Sequence, residues 1–464
     1  MTRASALQHA TEVFDSGHFL AVLSESVTQR TESQESNRQP ELLAYLSTFI
    51  APLLARLGFE TTIYPNPIEG AAPLLLATRI EQQDAPTVLL YGHGDVVRGY
   101  DEQWQEGLSP WSIVTDQDKW YGRGTADNKG QHLINILALQ STIKARNKQL
   151  GFNVKLLLEM GEEVGSPGLQ AFCEQHREAL AADLLIASDG PRLSASQPTL
   201  FLGSRGALNF DLKIHARDGA HHSGNWGGLL RNPGTVLANA IASLIDEQGR
   251  IKLAELKPSH IPEAVRLALQ KIELTPNSPN DPPIDVDWGE PGLTPVERVF
   301  GWNTLEVLAF QTGNPKNPVN AIPGNASAHC QIRFVPHSAP EQFITAIEQH
   351  FQANGFGMIE VVQAGEHVNA SRLDLGNEWV EWALASIYNT TGQEPALLPN
   401  LGGTIPNGVF SDTLSLPTLW IPHSYPACSQ HAPNEHLLAP IARQGLQIMS
   451  GIFWDLGEIG PRKN

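Results

Sequence analysis

Imidazole and carboxylate side chains occur along this chain at positions where they could bind divalent metal ions. The candidate ligands are His93, Asp127, Glu163, Asp189 and His431. Such ligands suit zinc and its neighbours, and a pair of metals needs at least one bridging carboxylate. The residue types therefore predict a metal site with hydrolytic chemistry. For any of these residues taken alone, the alternative is an ordinary loop residue or helix cap.

Residues beside two of these candidates could assist them. Asp95 lies two positions beyond His93, so on a strand both side chains would point the same way, and Asp95 could accept the second ring N–H of His93. Glu162 directly precedes Glu163. Because adjacent carboxylates do not both fit comfortably on one metal, one could bind metal while the other accepts a proton from water. The alternative for a Glu-Glu pair is a solvated acidic turn.

Asp127 lies in a glycine-rich run, Gly122-Arg123-Gly124-Thr125-Ala126-Asp127-Asn128-Lys129-Gly130. The paired glycines allow a tight backbone approach before a helix. The run is not a dinucleotide-binding fingerprint, because Asp127 stands at the third glycine position and would face the phosphate with a carboxylate. It is not a P-loop either.

The elements around these residues alternate between short apolar runs and helical patterns. Strands are predicted over residues 87–91, 154–158 and 184–187, and helices over 41–58, 128–143 and 169–180, with Pro52 expected to kink or break the first helix. This alternation predicts an α/β sheet covered by helices. Candidate ligands follow all three strands, and ligands of open α/β sheets bind outside the carboxyl ends of the strands.

The pattern changes near residue 206. Strands are predicted over residues 207–216, 306–310, 328–334 and 358–362, helices over 233–246 and 340–351, and a long loop over 274–291. The order β-α-β-β-α-β is that of a small ferredoxin-like sandwich. A helix-then-strand pattern returns after about residue 373. We therefore predict one catalytic domain in two parts, residues 1–205 and 374–464, interrupted by an inserted domain over residues 206–373.

The composition excludes some classes of function. The chain has 464 residues and a formal charge of −18, with 31 Lys plus Arg against 49 Asp plus Glu. An acidic chain without a basic run is a poor nucleic-acid binder, because phosphate contacts need clustered Lys or Arg.

The cysteines and the apolar segments indicate the compartment. Cys173, Cys330 and Cys428 are far apart and form no CxxC pair, so neither a disulfide framework nor a cysteine zinc site is predicted. The N-terminal segment has no apolar core of a signal peptide, and no stretch approaches the length of a membrane span. We expect a cytoplasmic protein that does not bind membranes.

Six short blocks, taken in order along the chain, carry a resemblance to a known family. They are Tyr91-Gly92-His93-Gly94-Asp95-Val96-Val97, the run from Gly122 to Gly130, Gly161-Glu162-Glu163-Val164-Gly165-Ser166, Ser188-Asp189-Gly190, Asn320-Ala321-Ile322-Pro323-Gly324 and His431-Ala432-Pro433-Asn434-Glu435. Together they resemble the M20 metallopeptidases, and among these most closely the carnosinase-like dipeptidases. The resemblance extends from about residue 40 to the C-terminus.

The resemblance implies a fold and a metal centre. The fold would be a zinc-exopeptidase-like sheet covered by helices, with an inserted ferredoxin-like lid and dimerisation domain. Two divalent ions, most often zinc with manganese or cobalt as alternatives, would be bound by a set of ligands that Asp127 bridges. His93 and Asp189 would bind one metal each, or its local equivalent, and Glu163 and His431 would complete the shell of the other metal. The peptide bond between Asp127 and Asn128 would be cis.

The resemblance also implies roles in catalysis and substrate binding. Glu162 would be the general base, and Asp95 would orient His93. His222, in a His222-Ser223-Gly224 motif, would reach across a homodimer and polarise the scissile carbonyl, although His221 beside it leaves the register open. The substrate would be held by Asn320, Arg333, Gly403 and Thr404. For Arg333 alone, a charge on a strand surface is an equal alternative.

These roles together predict an exopeptidase for dipeptides or short peptides with a free C-terminal carboxylate, using metal-bound hydroxide and a Glu general base. An N-acyl-amino-acid deacylase is the alternative enzyme, since it uses the same amide chemistry. A catalytically silent relative that serves as a dimeric binding scaffold is the alternative from another class. The presence of all five ligand candidates and Glu162 disfavours it.

Overall fold

The computed structural model describes residues 2–274 and 282–459; residues 275–281 of the predicted loop lie outside the described residues. Its strands are β1 (Glu60–Tyr64), β2 (Leu74–Arg79), β3 (Thr87–His93), β4 (Val114–Asp116), β5 (Lys119–Tyr121), β6 (Asn153–Glu159), β7 (Leu184–Ala187), β8 (Thr199–Phe201), β9 (Gly203–Ser204), β10 (Gly206–His215), β11 (His221–His222), β12 (Thr304–Thr312), β13 (Ala321–Ile322), β14 (Asn325–Phe334), β15 (Glu360–Gln363), β16 (Ser371–Arg372), β17 (Ala396–Leu398), β18 (Thr418–Trp420) and β19 (His436–Leu438). Its α-helices are α1 (Arg3–Asp15), α2 (His18–Thr28), α3 (Gln39–Ala44), α4 (Ala51–Ala55), α5 (Lys129–Ala145), α6 (Leu169–Gln175), α7 (Arg177–Leu180), α8 (Ser223–Trp226), α9 (Pro233–Leu244), α10 (Glu263–Leu269), α11 (Pro295–Phe300), α12 (Pro340–Ala353), α13 (Glu378–Thr391) and α14 (Ala439–Leu456).

A mixed sheet forms the larger part of the fold. Within the described residues it has eight strands in the order β1-β2-β6-β3-β7-β18-β8-β17, with β3 parallel to both β6 and β7. Val88 and Leu90 of β3 point into one apolar cluster, and Leu89 and Tyr91 point into the other. Burial on both faces explains why these strands read as continuous apolar runs rather than as alternating ones. The predicted helix-covered α/β sheet is confirmed.

Helices cover both faces of this sheet, with bounds that differ in two places from prediction. Residues 41–58 form α3, a π-helical segment (Tyr45–Ile50) and α4, with Pro52 in the first turn of α4. Pro52 has no N–H to donate to the preceding turn, so regular helical bonding is interrupted where the proline predicted a break. Residues 169–180 form two helices, α6 and α7. Among the described residues, no helix combines the length and apolar character needed to cross a membrane.

A second, antiparallel sheet has the strand order β12-β14-β10-β15. The strands of this sheet and the helices α9 and α12 follow in the order β10-α9-β12-β14-α12-β15, which is the order predicted for the ferredoxin-like sandwich; β11, β13, α8, α10 and α11 are additional elements between them. Leu208, Phe210 and Leu212 of β10 alternate with more exposed residues and face an apolar cluster that also holds Phe343 of α12. One face of this sheet is therefore covered by helices and the other is left open.

Two chain crossings connect the small sheet to the large one. They lie side by side, because β9 pairs with β16 in an antiparallel ladder. The intervening segment contributes to both cores: Leu256 packs with the small sheet, whereas Val265 and Phe300 pack with the large one. The boundaries at residues 205 and 373 stay a prediction.

Candidate metal centre

The predicted ligands stand at the carboxyl ends of neighbouring parallel strands. His93 is the last residue of β3, and Asp189 lies two residues beyond the end of β7. Glu162 and Glu163 begin a short 3-10 turn that follows β6. Because β3 lies between β6 and β7, these strand ends bring the three segments to one edge of the sheet.

Three of the predicted ligands form one group, called here the His93 group: His93, Asp127 and Asp189. Their ligand atoms all lie within 4.8 Å of one another, and all three residues are buried. His93 Nε2 lies 3.0 Å from Asp127 Oδ1 and 3.6 Å from Asp189 Oδ2. The Asp127–Asn128 peptide bond is cis, as expected.

A second group, called here the His431 group, contains Asp127, Glu163 and His431. His431 Nε2 lies 2.9 Å from Asp127 Oδ2 and 3.0 Å from Glu163 Oε2. Asp127 thus belongs to both groups and directs one carboxylate oxygen towards each. The other oxygen of Glu163 is buried without a hydrogen-bond partner. An unpaired buried carboxylate oxygen is costly, and a cation would satisfy it.

The electrostatics of both groups fit divalent cations. Burial, reinforced by the Asp127 charge, raises the pKa of Glu163 to about 7 and that of Asp189 to about 6. Hydrogen bonds to Asp127 and Glu163 raise the pKa of His431 to about 11. Protonated imidazoles here offset the carboxylate charge, and metal binding replaces such protons. Mixed nitrogen and oxygen ligands are a set that zinc accepts.

Asp95 lies beside His93 but uses its carboxylate mainly elsewhere. The acceptor nearest to His93 Nδ1 is the Asp95 backbone carbonyl at 3.1 Å, while the carboxylate oxygen Oδ1 lies at 3.4 Å. The two carboxylate oxygens accept the backbone N–H groups of Glu162 and Glu163 at 3.2 and 3.1 Å. Asp95 therefore connects the ring of His93 to the turn that carries both glutamates.

The Glu162 carboxylate lies close to the His93 group. Its Oε2 atom lies 4.0 Å from His93 Nε2. Burial raises the pKa of Glu162 well above its ordinary value; His93 opposes this shift, whereas Asp189 adds to it. A carboxyl group with a raised pKa beside a metal site is suited to moving protons.

Glu435 is a residue of the site to which the sequence assigned no role. It is 1% exposed, and its carboxylate accepts hydrogen bonds from Arg123 Nη1 at 2.9 Å and from the backbone N–H groups of Gly124, Ala126 and Asp127 at 2.9 to 3.1 Å. This single side chain holds the loop that presents Asp127. Its position in the final block of the resemblance was the available signal, but nothing in the local pattern showed that it is buried.

Two of the predicted substrate residues meet at the junction of the two sheets. The Arg333 guanidinium donates to the Thr404 hydroxyl, which donates to the Arg205 carbonyl at 3.0 Å. Arg205, which the sequence did not single out, has a buried Nη1 without a partner and donates through Nε to the Gly402 carbonyl at 2.8 Å. Burial lowers the pKa of Arg205 to about 10, and nearby Arg333 adds to this shift.

Three further predicted residues, His222, Asn320 and Gly403, lie at the surface of the molecule. His222 is on β11, which pairs with β13, and its Nδ1 accepts the N–H of Gly224 at 3.1 Å. The Asn320 carbonyl accepts the N–H of Ser223 at 2.9 Å. Gly403 is also exposed. Within one chain, the structure thus brings His222 beside Asn320 and gives neither a hydrogen bond to the two ligand groups.

Comparison with known proteins places the chain in a family. The family model described as "Peptidase family M20/M25/M40" matches residues 89–455. The beta-Ala-His dipeptidase of Rattus norvegicus is 28% identical over 411 residues, which cover 83% of this chain and 80% of that protein. The cysteinylglycine-S-conjugate dipeptidase of Corynebacterium striatum is 26% identical over 372 residues, 77% of each chain.

The fold also matches a solved structure over nearly its whole length. Human carnosine dipeptidase 1 superposes with a TM-score of 0.76 at 22% identity, covering 97% of this chain and 100% of that one. This likeness supports the architecture, and the family match covers the strand ends that carry the ligand groups. The chain belongs to peptidase family M20/M25/M40 and is a hydrolase.

Proposed function

We propose that this protein is a dinuclear-metal exopeptidase that hydrolyses dipeptides or short peptides with a free C-terminal carboxylate. The observation that carries the proposal is the pair of ligand groups that share Asp127, with Glu162 beside them. The two relatives named as dipeptidases support the substrate class. We propose zinc as the native metal, because the site offers two imidazoles and three carboxylates.

The side chains of the site divide the work of amide hydrolysis. Divalent ions, when bound, supply Lewis acidity that activates water and polarises the scissile carbonyl. Glu162 takes a proton from the attacking water and returns it to the leaving amine, as its raised pKa and its position beside His93 allow. Asp95 keeps Glu162 in place through the backbone of the turn.

The C-terminal carboxylate of the substrate needs a positively charged partner. Arg333 and Arg205 lie near each other, and Arg333 already donates to Thr404. We propose that the terminal carboxylate is bound here, because a guanidinium can bind a carboxylate through two parallel hydrogen bonds. His222 would complete the site from a second copy of the chain.

The carboxylate assignment predicts how substrate analogues behave. A dipeptide whose C-terminus is amidated should lose about tenfold to a hundredfold in kcat/KM, the equivalent of a charged hydrogen bond. In Arg333→Gln the free and amidated dipeptides should be hydrolysed at similar rates. Steady-state kinetics on both substrates checks this; an unchanged preference in the variant would contradict the assignment.

The same assay separates the two enzyme functions. Free dipeptides and the corresponding N-acetyl amino acids share the terminal carboxylate but differ on the amino side. We expect turnover of free dipeptides to exceed that of N-acetyl amino acids. If no free dipeptide is hydrolysed while N-acetyl amino acids are, the protein is a deacylase.

The two ligand groups predict that the active protein binds two metal ions. Protein stripped with a chelator should lose hydrolytic activity, and it should regain activity as two equivalents of zinc are added. Elemental analysis and titration against activity measure this. Saturation at well under two equivalents would argue against the dinuclear centre.

The small sheet offers a surface for the proposed homodimer. In the part of the chain that the structure describes, β12 is an edge strand whose one neighbour is β14, and it exposes Val307, Leu308 and Phe310 by 37%, 56% and 43%. Exposed apolar edge strands are templates for pairing with another chain. We propose that two copies associate through this edge, which would place one lid beside the partner's site.

The dimer proposal predicts the effect of charge on that strand. Leu308→Lys combined with Phe310→Lys should shift the protein from dimer to monomer, because paired lysines repel at a strand-to-strand contact. Sedimentation velocity measures the change. The control is Val286→Lys, which changes a residue that is 82% exposed and lies outside β12; this variant protein should stay dimeric. A monomeric unsubstituted protein would refute the proposal.

The proposed compartment is the cytoplasm. Cys173, Cys330 and Cys428 are all buried and free. Burial raises the pKa of each thiol to about 12, so the thiols stay protonated and unreactive. Free cysteines of this kind are consistent with a reducing environment.

A further inference from the structure

A row of hydrogen-bonded side chains lies buried behind the metal ligands. Tyr45 Oη lies 3.0 Å from Ser26 Oγ and 2.8 Å from His132 Nε2. His132 Nδ1 lies 3.3 Å from Asn128 Oδ1, and Asn128 Nδ2 donates to the Ser188 carbonyl at 2.8 Å. Each of these five residues is at most 2% exposed. The row runs from α2, across the π-helical segment and α5, to the loop that carries Asp189.

Each hydrogen bond of the row has a definite direction. Because Asn128 Nδ2 donates to Ser188, Asn128 Oδ1 is the acceptor that faces His132, and His132 Nδ1 therefore carries the proton. Burial lowers the pKa of His132 to about 3, so the ring is neutral and its Nε2 accepts from the Tyr45 hydroxyl. Ser26 then donates to the oxygen of Tyr45. The buried polar groups of the row are satisfied in one consistent arrangement.

Two glycines beside His93 make room for this row. A Cβ atom on Gly92 would lie 2.7 Å from Cβ of His132, and one on Gly94 would lie 2.5 Å from Cε1 of Tyr45. Real Cβ atoms do not approach other atoms so closely, so any side chain at these positions would displace the row. The Gly-His-Gly pattern at the end of β3 therefore reflects packing against Tyr45 and His132.

Asn128 is the point where the row reaches the metal ligands. Its backbone follows Asp127, and its amide nitrogen holds the Ser188 carbonyl, directly before Asp189. Its Oδ1 atom lies 3.2 Å from where a Cβ of Gly92 would stand, directly before His93. Each ligand of the His93 group is thus next in sequence to Asn128 or to a residue that contacts it: Asp127 precedes Asn128, Asp189 follows Ser188, and His93 follows Gly92. A shift of Asn128 would move these ligands relative to one another.

We propose that His132 and Tyr45 are positioning residues that hold Asn128, and through it the His93 group, in the arrangement that binds a divalent cation. The proposal rests on the metal centre proposed above and adds residues that touch neither metal nor substrate. Ser26 and Tyr45 precede residue 89, where the family match begins. The proposal therefore gives segments outside that match a part in holding the site.

Two substitutions of His132 separate positioning from packing. In His132→Asn the amide nitrogen can stand near the position of Nδ1 and still donate to Asn128. In His132→Gln the terminal amide reaches the position of Nε2, where its oxygen can accept from the Tyr45 hydroxyl, but the bond to Asn128 is lost. Partners that orient metal ligands contribute about tenfold to a hundredfold to metal affinity. We expect H132Q to weaken the zinc equivalent of the His93 group by about tenfold or more, and H132N by much less.

The zinc affinity of each metal-free variant is measured in competition with a chromogenic chelator, which shows which of the two variants loses more. The Tm of each variant is measured alongside as a check on folding. Gln matches the volume of histidine better than Asn does, so packing alone predicts the opposite order. Equal losses, or a larger loss in H132N, would overturn the proposal. His176→Gln, which lies away from the ligand groups and packs against Phe172, is the control and should bind zinc as the unsubstituted protein does.

Tyr45→Phe gives an independent test if both His132 variants fail to fold. It keeps the ring and removes only the hydroxyl that donates to His132 Nε2. We expect it to weaken the same zinc equivalent several-fold with little change in Tm; unchanged zinc affinity would overturn the proposal. The measurement needs no turnover, so a protein that binds two zinc ions without hydrolysing peptides would refute the proposed function alone. A protein that binds no zinc would refute both.

Discussion

Replacing Glu162 with glutamine should lower kcat for dipeptide hydrolysis by about 10³-fold, within the range that a general acid–base group contributes. The amide keeps the size of the side chain but can neither accept the proton of water nor return it to the leaving amine. The Glu162 side chain is 18% exposed, so water reaches it, while burial, opposed by His93 but reinforced by Asp189, raises its pKa well above the ordinary value. Steady-state kinetics at saturating zinc measures the loss.

The neighbouring glutamate is the matched control for this experiment. Glu163→Gln changes the same chemistry one residue away, but the Glu163 carboxylate contacts His431 and belongs to a ligand group. We therefore expect E163Q to lose a zinc equivalent, whereas E162Q should keep both. An E162Q protein that retains a tenth of the original kcat, or that loses zinc, would show that Glu162 is not the base. Undiminished hydrolysis in E162Q would exclude any catalytic role for it.

The sequence was most informative where a periodic pattern ends on a chemical group. The strands before His93, Glu162 and Asp189 read as apolar runs because both of their faces are buried, and this fixes where their ends meet. The small sheet could be predicted for a different reason. β10 and β14 alternate between buried and more exposed residues, and the helices α9 and α12 follow in the expected order.

The sequence was least informative about contacts between segments far apart in the chain. Arg205 meets Thr404, and Tyr45 meets His132, through tertiary packing that no local period encodes. The same limit applies to helix details, since the π-helical segment Tyr45–Ile50 reads in the sequence as ordinary helix. The sequence pattern indicates the candidate ligands and the candidate base, whereas the residues that position them become visible only in the folded structure.

Among the residues that hold the site together rather than take part in its chemistry, Glu435 is expected to contribute most to stability. Glu435→Gln should lower the free energy of unfolding of the metal-free protein by about 3–5 kcal/mol, as breaking a buried ion pair does. The carboxylate accepts on both oxygens, from Arg123 and Gly124 on one and from Ala126 and Asp127 on the other. A carboxamide would turn its NH₂ group towards donors on one of these sides.

The cost is high because Arg123 has little else to bind. Its Nε and Nη2 atoms are buried without partners, and its guanidinium is fully buried at 5.7 Å from the centre of the Trp104 ring. Removing the Glu435 charge would leave this cation uncompensated beside the loop that presents Asp127, so E435Q should weaken zinc binding as well.

Urea unfolding of the metal-free protein measures the effect, and Glu35→Gln is the control, because Glu35 pairs with Arg98 at the surface. A surface pair contributes about 0–1 kcal/mol, so E35Q should unfold close to the unsubstituted protein. If E435Q and E35Q unfold at the same urea concentration, the buried pair does not hold the Asp127 loop. If E435Q is destabilised yet binds zinc normally, the loop keeps its ligand geometry without Glu435, and the residue stabilises the fold alone.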